Sequence, residues 1–242
     1  MIDVEGLTIG FGDTILLRDL SFRVPKGEVF AILGRSGCGK TTLLRHLIGL
    51  EAPLSGRIHI EGLGLPTLAA APPPFGVLFQ SAALFGSLTV GANVALPLRQ
   101  WTDLPEEAIE TITRSKLCLV GLRGYEYHHP SEISGGMKKR AGIARALVME
   151  PPLLFLDEPS AGLDPVTAVE LDDLILTLNA SLGVTMVVVT HELASILRIA
   201  KSCIMLDRES QGIIARGDPR ELGQKSADPR VTSFFSRRAR GG

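Results

Sequence analysis

"EVFAILGRSGCGKTTLLRHLIGL", residues 28–50, decides how the rest of the chain is read. Its first six residues are a short apolar run, the pattern of a buried strand. Gly34 ends the run, and from Lys40 onward the pattern is helical. Between the two lies GRSGCGKTT, residues 34–42, where Gly34, Gly39, Lys40 and Thr41 match G-x-x-x-x-G-K-[ST] in the strand-then-helix setting that this motif requires. Such a loop turns backbone N–H groups onto phosphate oxygens, and its glycines allow the close approach. Gly34, Arg35, Ser36, Gly37, Cys38, Gly39, Lys40, Thr41 and Thr42 are therefore expected to cradle a nucleotide. Lys40 is expected to reach its β- and γ-phosphates, and the Thr41 hydroxyl to ligate Mg²⁺.

Upstream of this loop the sequence alternates. DVEGLTIGF and ILLRDLSFRV read as strands joined at Gly12-Asp13. Downstream, SGRIHIEG reads as a half-exposed strand, LPTLAAAPPP as a loop and FGVLFQ as a short strand. Residues from about 87 to 131 change character and read as helices with loops. Pro105 followed by Glu106 and Glu107 suits a helix start, since proline fits the first turn and acids favour its dipole. A further helix is expected from Gly136 to about Glu150, stopped by Pro151-Pro152. LLFLDE and VTMVVVTH are branched apolar runs, as parallel strands covered on both faces would be. PVTAVELDDLILTLNASLG supplies the helical crossover between them. Alternating strands and helices predict an α/β sheet.

The chain has 242 residues, 45% hydrophobic residues and a net charge of −1. That suits one large α/β domain and excludes nucleic acid as the main partner, since backbone binding needs a basic field. Cys38, Cys118 and Cys203 are too few and too scattered for a disulfide framework and fit a reducing compartment. The opening MIDVEGLTIGF lacks the basic region of a secretory signal. Residues 62–98 carry no charge, but Pro66, Pro72, Pro73, Pro74 and Pro97 argue against a bilayer helix. A surface that docks on another protein is the better reading.

Two strand ends supply further chemistry. LLFLDE ends in Asp157, expected to hold Mg²⁺ through water, and Glu158, expected to polarise an attacking water. VVVTH ends at His191, which can hydrogen-bond the γ-phosphate or that water. Gln80, at a strand end, can reach metal or water. Phe11 either stacks on a nucleotide base or belongs to the core. His46, His59, His128 and His129 have no metal-ligand spacing. A second phosphate site is suggested by SEISGGMKKR, residues 131–140, where Ser134, Gly135 and Gly136 precede a helix. Two copies set head to tail would let each SGG close over the other's nucleotide.

The ordered set GRSGCGKTT, Gln80, ISGGM, LLFLDE, SAGLD (160–164) and His191 resembles the ATP-binding subunit of an ABC transporter, over nearly the whole chain. The resemblance implies a P-loop NTPase fold: a RecA-like core, an antiparallel β subdomain and a helical subdomain at about 87–135, in one domain spanning 1–235 with a short basic tail at 236–242. It implies ATP and Mg²⁺ as ligands, with Lys40, Thr41, Asp157 and Gln80 on phosphates and metal. Glu158 would be the catalytic base and His191 the switch. Ser134, Gly135 and Gly136 would contact the ATP of the opposite subunit, with Asp164 at the dimer seam. The region after Gln80 would grip a membrane permease.

Met137 stands where that family usually has glutamine and cannot make an amide's hydrogen bonds. Together with LFQSAALFGSLTVGANVALPLR, LNASLGVTMVVVTHEL and DPRVTSFF, it is similar to the Mla-type (Mkl-like) phospholipid and organic-solvent-resistance transport ATPases. This implies a phospholipid transporter with a permease, an MCE-type lipid-binding protein and a STAS-domain partner, on the cytoplasmic face of the bacterial inner membrane. An ABC transporter ATPase for another cargo, an amino acid or metal complex, is the alternative. A soluble ABC ATPase working on ribosomes or DNA usually carries two fused nucleotide domains or a long coiled-coil insert, and this sequence reads as having neither; a P-loop kinase would leave SGGM and SAGLD without a task. The tail SRRARGG reads as a solvated end or a contact for anionic lipid.

Overall fold

The computed structural model describes residues 1–12, 14–66, 72 and 74–236. Asp13 of the expected turn, most of the Ala-Pro tract and the tail beyond Ser236 lie outside the described residues. Two sheets organise the chain. The first is antiparallel, in the order β2-β1-β4, from β1 (Ile2–Phe11), β2 (Thr14–Val24) and β4 (Ser55–Ile60). The second runs β5-β6-β7-β3-β8-β9. It comprises β3 (Val29–Leu33), β5 (Gly76–Leu78), β6 (Leu153–Asp157), β7 (Thr185–Val189), β8 (Ser202–Asp207) and β9 (Gly212–Gly217). All its pairings are parallel except β8 with β9.

Every residue of β3, β6 and β7 is buried, which explains their unbroken apolar runs. Alternation along them sorts side chains to two faces. Leu153, Phe155, Val187 and Val189 join the antiparallel sheet and α1 (Lys40–Leu47) in one core. Leu154, Leu156, Met186 and Val188 face a second core. That core is built from α2 (Val90–Trp101), α3 (Glu106–Leu119), α4 (Gly135–Leu147) and α5 (Pro165–Leu182). A third core sets Ala31, Leu33, Cys203 and Met205 against α6 (Leu193–Ile199), α7 (Pro219–Lys225) and α8 (Pro229–Ser236).

The helix expected from 136 to about 150 runs from Gly135 to Leu147 instead. The chain then leaves helical geometry, and Glu150 adopts φ 53° before Pro151. Pro97 lies inside α2, giving up the backbone bond to the Asn93 carbonyl four residues back. The uncharged stretch 62–98 does not form one surface: Leu78, Val90, Val94, Ala95 and Leu98 are core residues. No described helix is long and apolar enough to cross a membrane.

Candidate nucleotide site

The loop of residues 34–39 leaves β3 at the middle of its sheet and feeds directly into α1. At Gly34, with φ 149°, a Cβ atom would come within 2.6 Å of the Leu206 carbonyl oxygen and 2.5 Å of Cys38 Sγ. Only glycine lets the loop start this close to β8. Gly39 begins α1 with no side-chain cap, so the first backbone donors of the helix remain available to an anion. Lys40 is buried, and its Nζ donates to the carbonyls of Gly34 at 3.0 Å and Arg35 at 3.3 Å.

The strand ends converge on this loop. Ser36, Gly37, Gly39, Lys40, Thr41 and Thr42 line a cleft of about 370 Å³ with Gln80, Glu158, His191 and Leu16. The Thr41 hydroxyl donates to Asp157 Oδ1 at 3.3 Å. Burial pushes the Asp157 carboxyl above its usual range, and the adjacent Glu158 charge adds to this, against the Thr41 hydrogen bond and the charges of Lys139 and Lys40. Glu158 has φ 46°, a strained conformation for a side chain of this size, and its N–H donates to the Val189 carbonyl at 2.8 Å. Glu158 Oε1 accepts from His191 Nδ1 at 2.7 Å and stands 4.0 Å from Lys40 Nζ. Glu158 Oε2 is buried without a hydrogen-bond partner. A carboxylate only accepts, so the bond to His191 fixes the Nδ1–H tautomer.

An orphaned carboxylate oxygen, an uncapped helix start and a buried ammonium around one cleft fit a phosphate chain and its cation. Arg35 and Cys38 belong to the loop without lining the cleft. Phe11 ends β1 and is 59% exposed, so the core alternative for it fails. Leu16 and Leu17 of the antiparallel sheet touch the loop, with Cδ2 and Cδ1 respectively each 3.1 Å from where a Gly39 Cβ would lie, and of the two only Leu16, passed over in the sequence, lines the cleft. Its apolar identity carries no phosphate signal.

Ser134, Gly135, Gly136 and Asp164 do not line the cleft. Ser134 caps α4, its Oγ accepting from the Met137 N–H at 3.2 Å. Asp164 caps α5, with Oδ1 accepting from the N–H groups of Val166 and Thr167 at 3.1 Å each. The Met137 side chain packs against the helical core. An apolar groove of about 450 Å³ opens beside Gln80, walled by Leu50, Phe79, Pro97, Trp101, Arg145 and Met149.

Fold and cleft together define a P-loop ATPase with an added antiparallel sheet and helical layer. A family model described as "ABC transporter" matches residues 17–161, and the chain belongs to that family as its ATP-binding, ATP-hydrolysing subunit. It is 42% identical to the "Probable ribonucleotide transport ATP-binding protein mkl" of Mycobacterium tuberculosis, covering 98% of this chain and 67% of that protein. It is 41% identical to the "Intermembrane phospholipid transport system ATP-binding protein MlaF" of Escherichia coli, covering 97% and 88%. Among solved structures, cbiO1 from Clostridium perfringens, described as part of an ABC transporter complex, matches with a TM-score of 0.82 at 30% identity, over 93% of this chain and 90% of that one. The ATP-binding cassette MJ0796, solved as a dimer bound to ADP and Pi, matches at 0.79 and 28%, over 90% and 98%.

Proposed function

We propose that two copies of this chain hydrolyse ATP head to tail and drive a permease that moves phospholipid. The observation that carries the hydrolytic reading is the convergence of Lys40, Thr41, Gln80, Asp157, Glu158 and His191 on two neighbouring clefts. The 34–42 loop holds the phosphates, and Phe11 stacks on the base. Thr41, Gln80 and Asp157 would hold Mg²⁺, which would supply neutralising charge to the phosphates. Glu158 is the base. His191 holds Oε1 through Nδ1–H, leaving the orphaned Oε2 to take a proton from the attacking water. The water oxygen bonds to the γ-phosphorus as its bond to the bridging oxygen breaks.

Ser134, Gly135 and Gly136 lie outside their own cleft, which supports their closing over the partner copy's ATP, with Asp164 at the seam. The dimeric state in which MJ0796 was solved supports the same assembly. The helical subdomain, about residues 87–135 of a domain spanning 1–235, meets the permease at the Trp101 groove. The complex sits on the cytoplasmic face of a bacterial inner membrane, with an MCE-type lipid-binding protein and a STAS-domain partner.

Phospholipid as cargo is supported by the phospholipid-system name of the relative matched over most of both chains. The mycobacterial relatives carry a ribonucleotide name, which makes another cargo the second reading. Glu158→Gln is expected to bind ATP, lose nearly all hydrolysis and accumulate as a dimer. Near-normal turnover in that variant refutes the role of Glu158. Tagged protein drawn from gently solubilised membranes is expected to bring a permease, an MCE-type protein and phospholipid. A solute-binding protein with no enriched lipid would move the cargo to the second reading.

A further inference from the structure

Helix α4 carries a buried cation, Lys139, and a half-buried one, Arg145, that no ion pair explains. Lys139 is 5% exposed, and its Nζ donates to two backbone carbonyls, Gln80 at 2.6 Å and Glu158 at 2.9 Å. One turn and a half further on, Arg145 donates to the carbonyls of Ala82 and Ala83, both at 2.7 Å. Among the described residues, six other than glycine have positive φ, and three of them, Ala82, Ala83 and Glu158, are those whose carbonyls these cations hold. Left-handed backbone at such residues persists only where the surroundings impose it. A buried carbonyl also needs a donor. Burial lowers the Lys139 pKa, against the attraction of Asp157 and Glu158. A lysine kept at this depth without a direct carboxylate partner is held for its donors.

We propose that Lys139 is a positioning residue for ATP hydrolysis, clamping the Gln80 and Glu158 backbones to one ammonium so that both side chains stay registered in the cleft. The clamp rests on the assignment of Glu158 and Gln80 above. It touches no phosphate and acts through these two residues. Its helix begins at the Ser134–Gly136 turn, and Arg145 lines the permease groove. One rigid element thus joins the partner-facing turn, the hydrolytic carboxylate and the groove.

The test is steady-state ATP hydrolysis of the full chain beside the Kd of a fluorescent methylanthraniloyl-ATP and the melting temperature. Lys139→Met keeps an unbranched side chain one atom shorter and removes its donors. It is expected to lower kcat by up to about a hundredfold, the cost of displacing a reacting group by an ångström, with Kd near wild type. Lys139→Gln, whose amide still donates, is expected to recover a large part of kcat. Wild-type kcat in Lys139→Met overturns the proposal. So does a loss of kcat that follows a loss of nucleotide binding and melting temperature, or that Lys139→Gln does not relieve. Glu158→Gln assayed in parallel separates the two ideas. If it retains turnover, the reading of the site has failed. If it is inactive while Lys139→Met is normal, only the clamp has failed.

Discussion

Asp172 illustrates how one residue can cost stability and still be kept. It is 2% exposed and accepts a hydrogen bond from Ser195 at 2.5 Å, tying α5 to α6 just beyond His191. Burial raises its pKa, against the Ser195 bond and the charge of Arg198. Between the ordinary carboxylate value, about 4, and the raised folded value, the folded state holds a proton that the unfolded state has released. Stability therefore falls as pH rises through that window. Asp172→Asn keeps an acceptor for Ser195 and removes the charge. Its melting temperature relative to wild type is expected to improve as pH rises from about 4 to the raised folded value and to level off beyond it. A difference independent of pH would mean that Asp172 is not the titrating group. The phosphate loop, Asp157, Glu158 and His191 were legible as residues because each closes a strand whose burial fixes its end. Lys139 was not, since in SGGMKKR it reads as one of three exposed cations.

At the scale of elements, the SGG turn was read as a phosphate binder, yet its glycine also has an internal reason. A Cβ on Gly136 would lie 2.4 Å from Thr167 Cγ2 on α5. Thr167 cannot turn aside without breaking its hydroxyl bond to Asp164 Oδ2, at 2.5 Å. Gly136→Ala is therefore expected to cost about 1–3 kcal/mol, the usual penalty for overpacking. Adding Thr167→Ser, which deletes the methyl and keeps the hydroxyl, should restore most of that stability in urea unfolding. Independent, additive effects would show that the two helices do not touch there. The strands β3, β6 and β7 and the crossover helix α5 could be read from their periodicity and their stops. The last part of the chain could not: α6 and α7 have seven residues each, too few for a helical period, and β9 runs from half-buried to exposed without alternating.

For the whole molecule, the apolar groove shares Ile48, Leu50 and Phe79 with the cleft lined by Thr41, Gln80 and Asp157, and the groove's rim residue Trp101 is 41% exposed. Trp101→Asp is expected to abolish co-sedimentation with membranes while hydrolysis by the purified chain is unchanged; retained sedimentation would move the docking surface elsewhere. The charge-free stretch pointed to docking, but it could not separate Phe79 and Pro97, which face the groove, from the core residues between them. The sheet order carries a different consequence. β3, which launches the phosphate loop, pairs with β7 and β8, whose residues are numbered 185–189 and 202–207. During synthesis at about 5–20 residues per second, the ribosome makes the loop roughly seven to thirty seconds before either neighbour exists. A nascent chain halted before β7 therefore has the whole motif and nowhere to hold it, so ATP can be captured only after both neighbouring strands have been made.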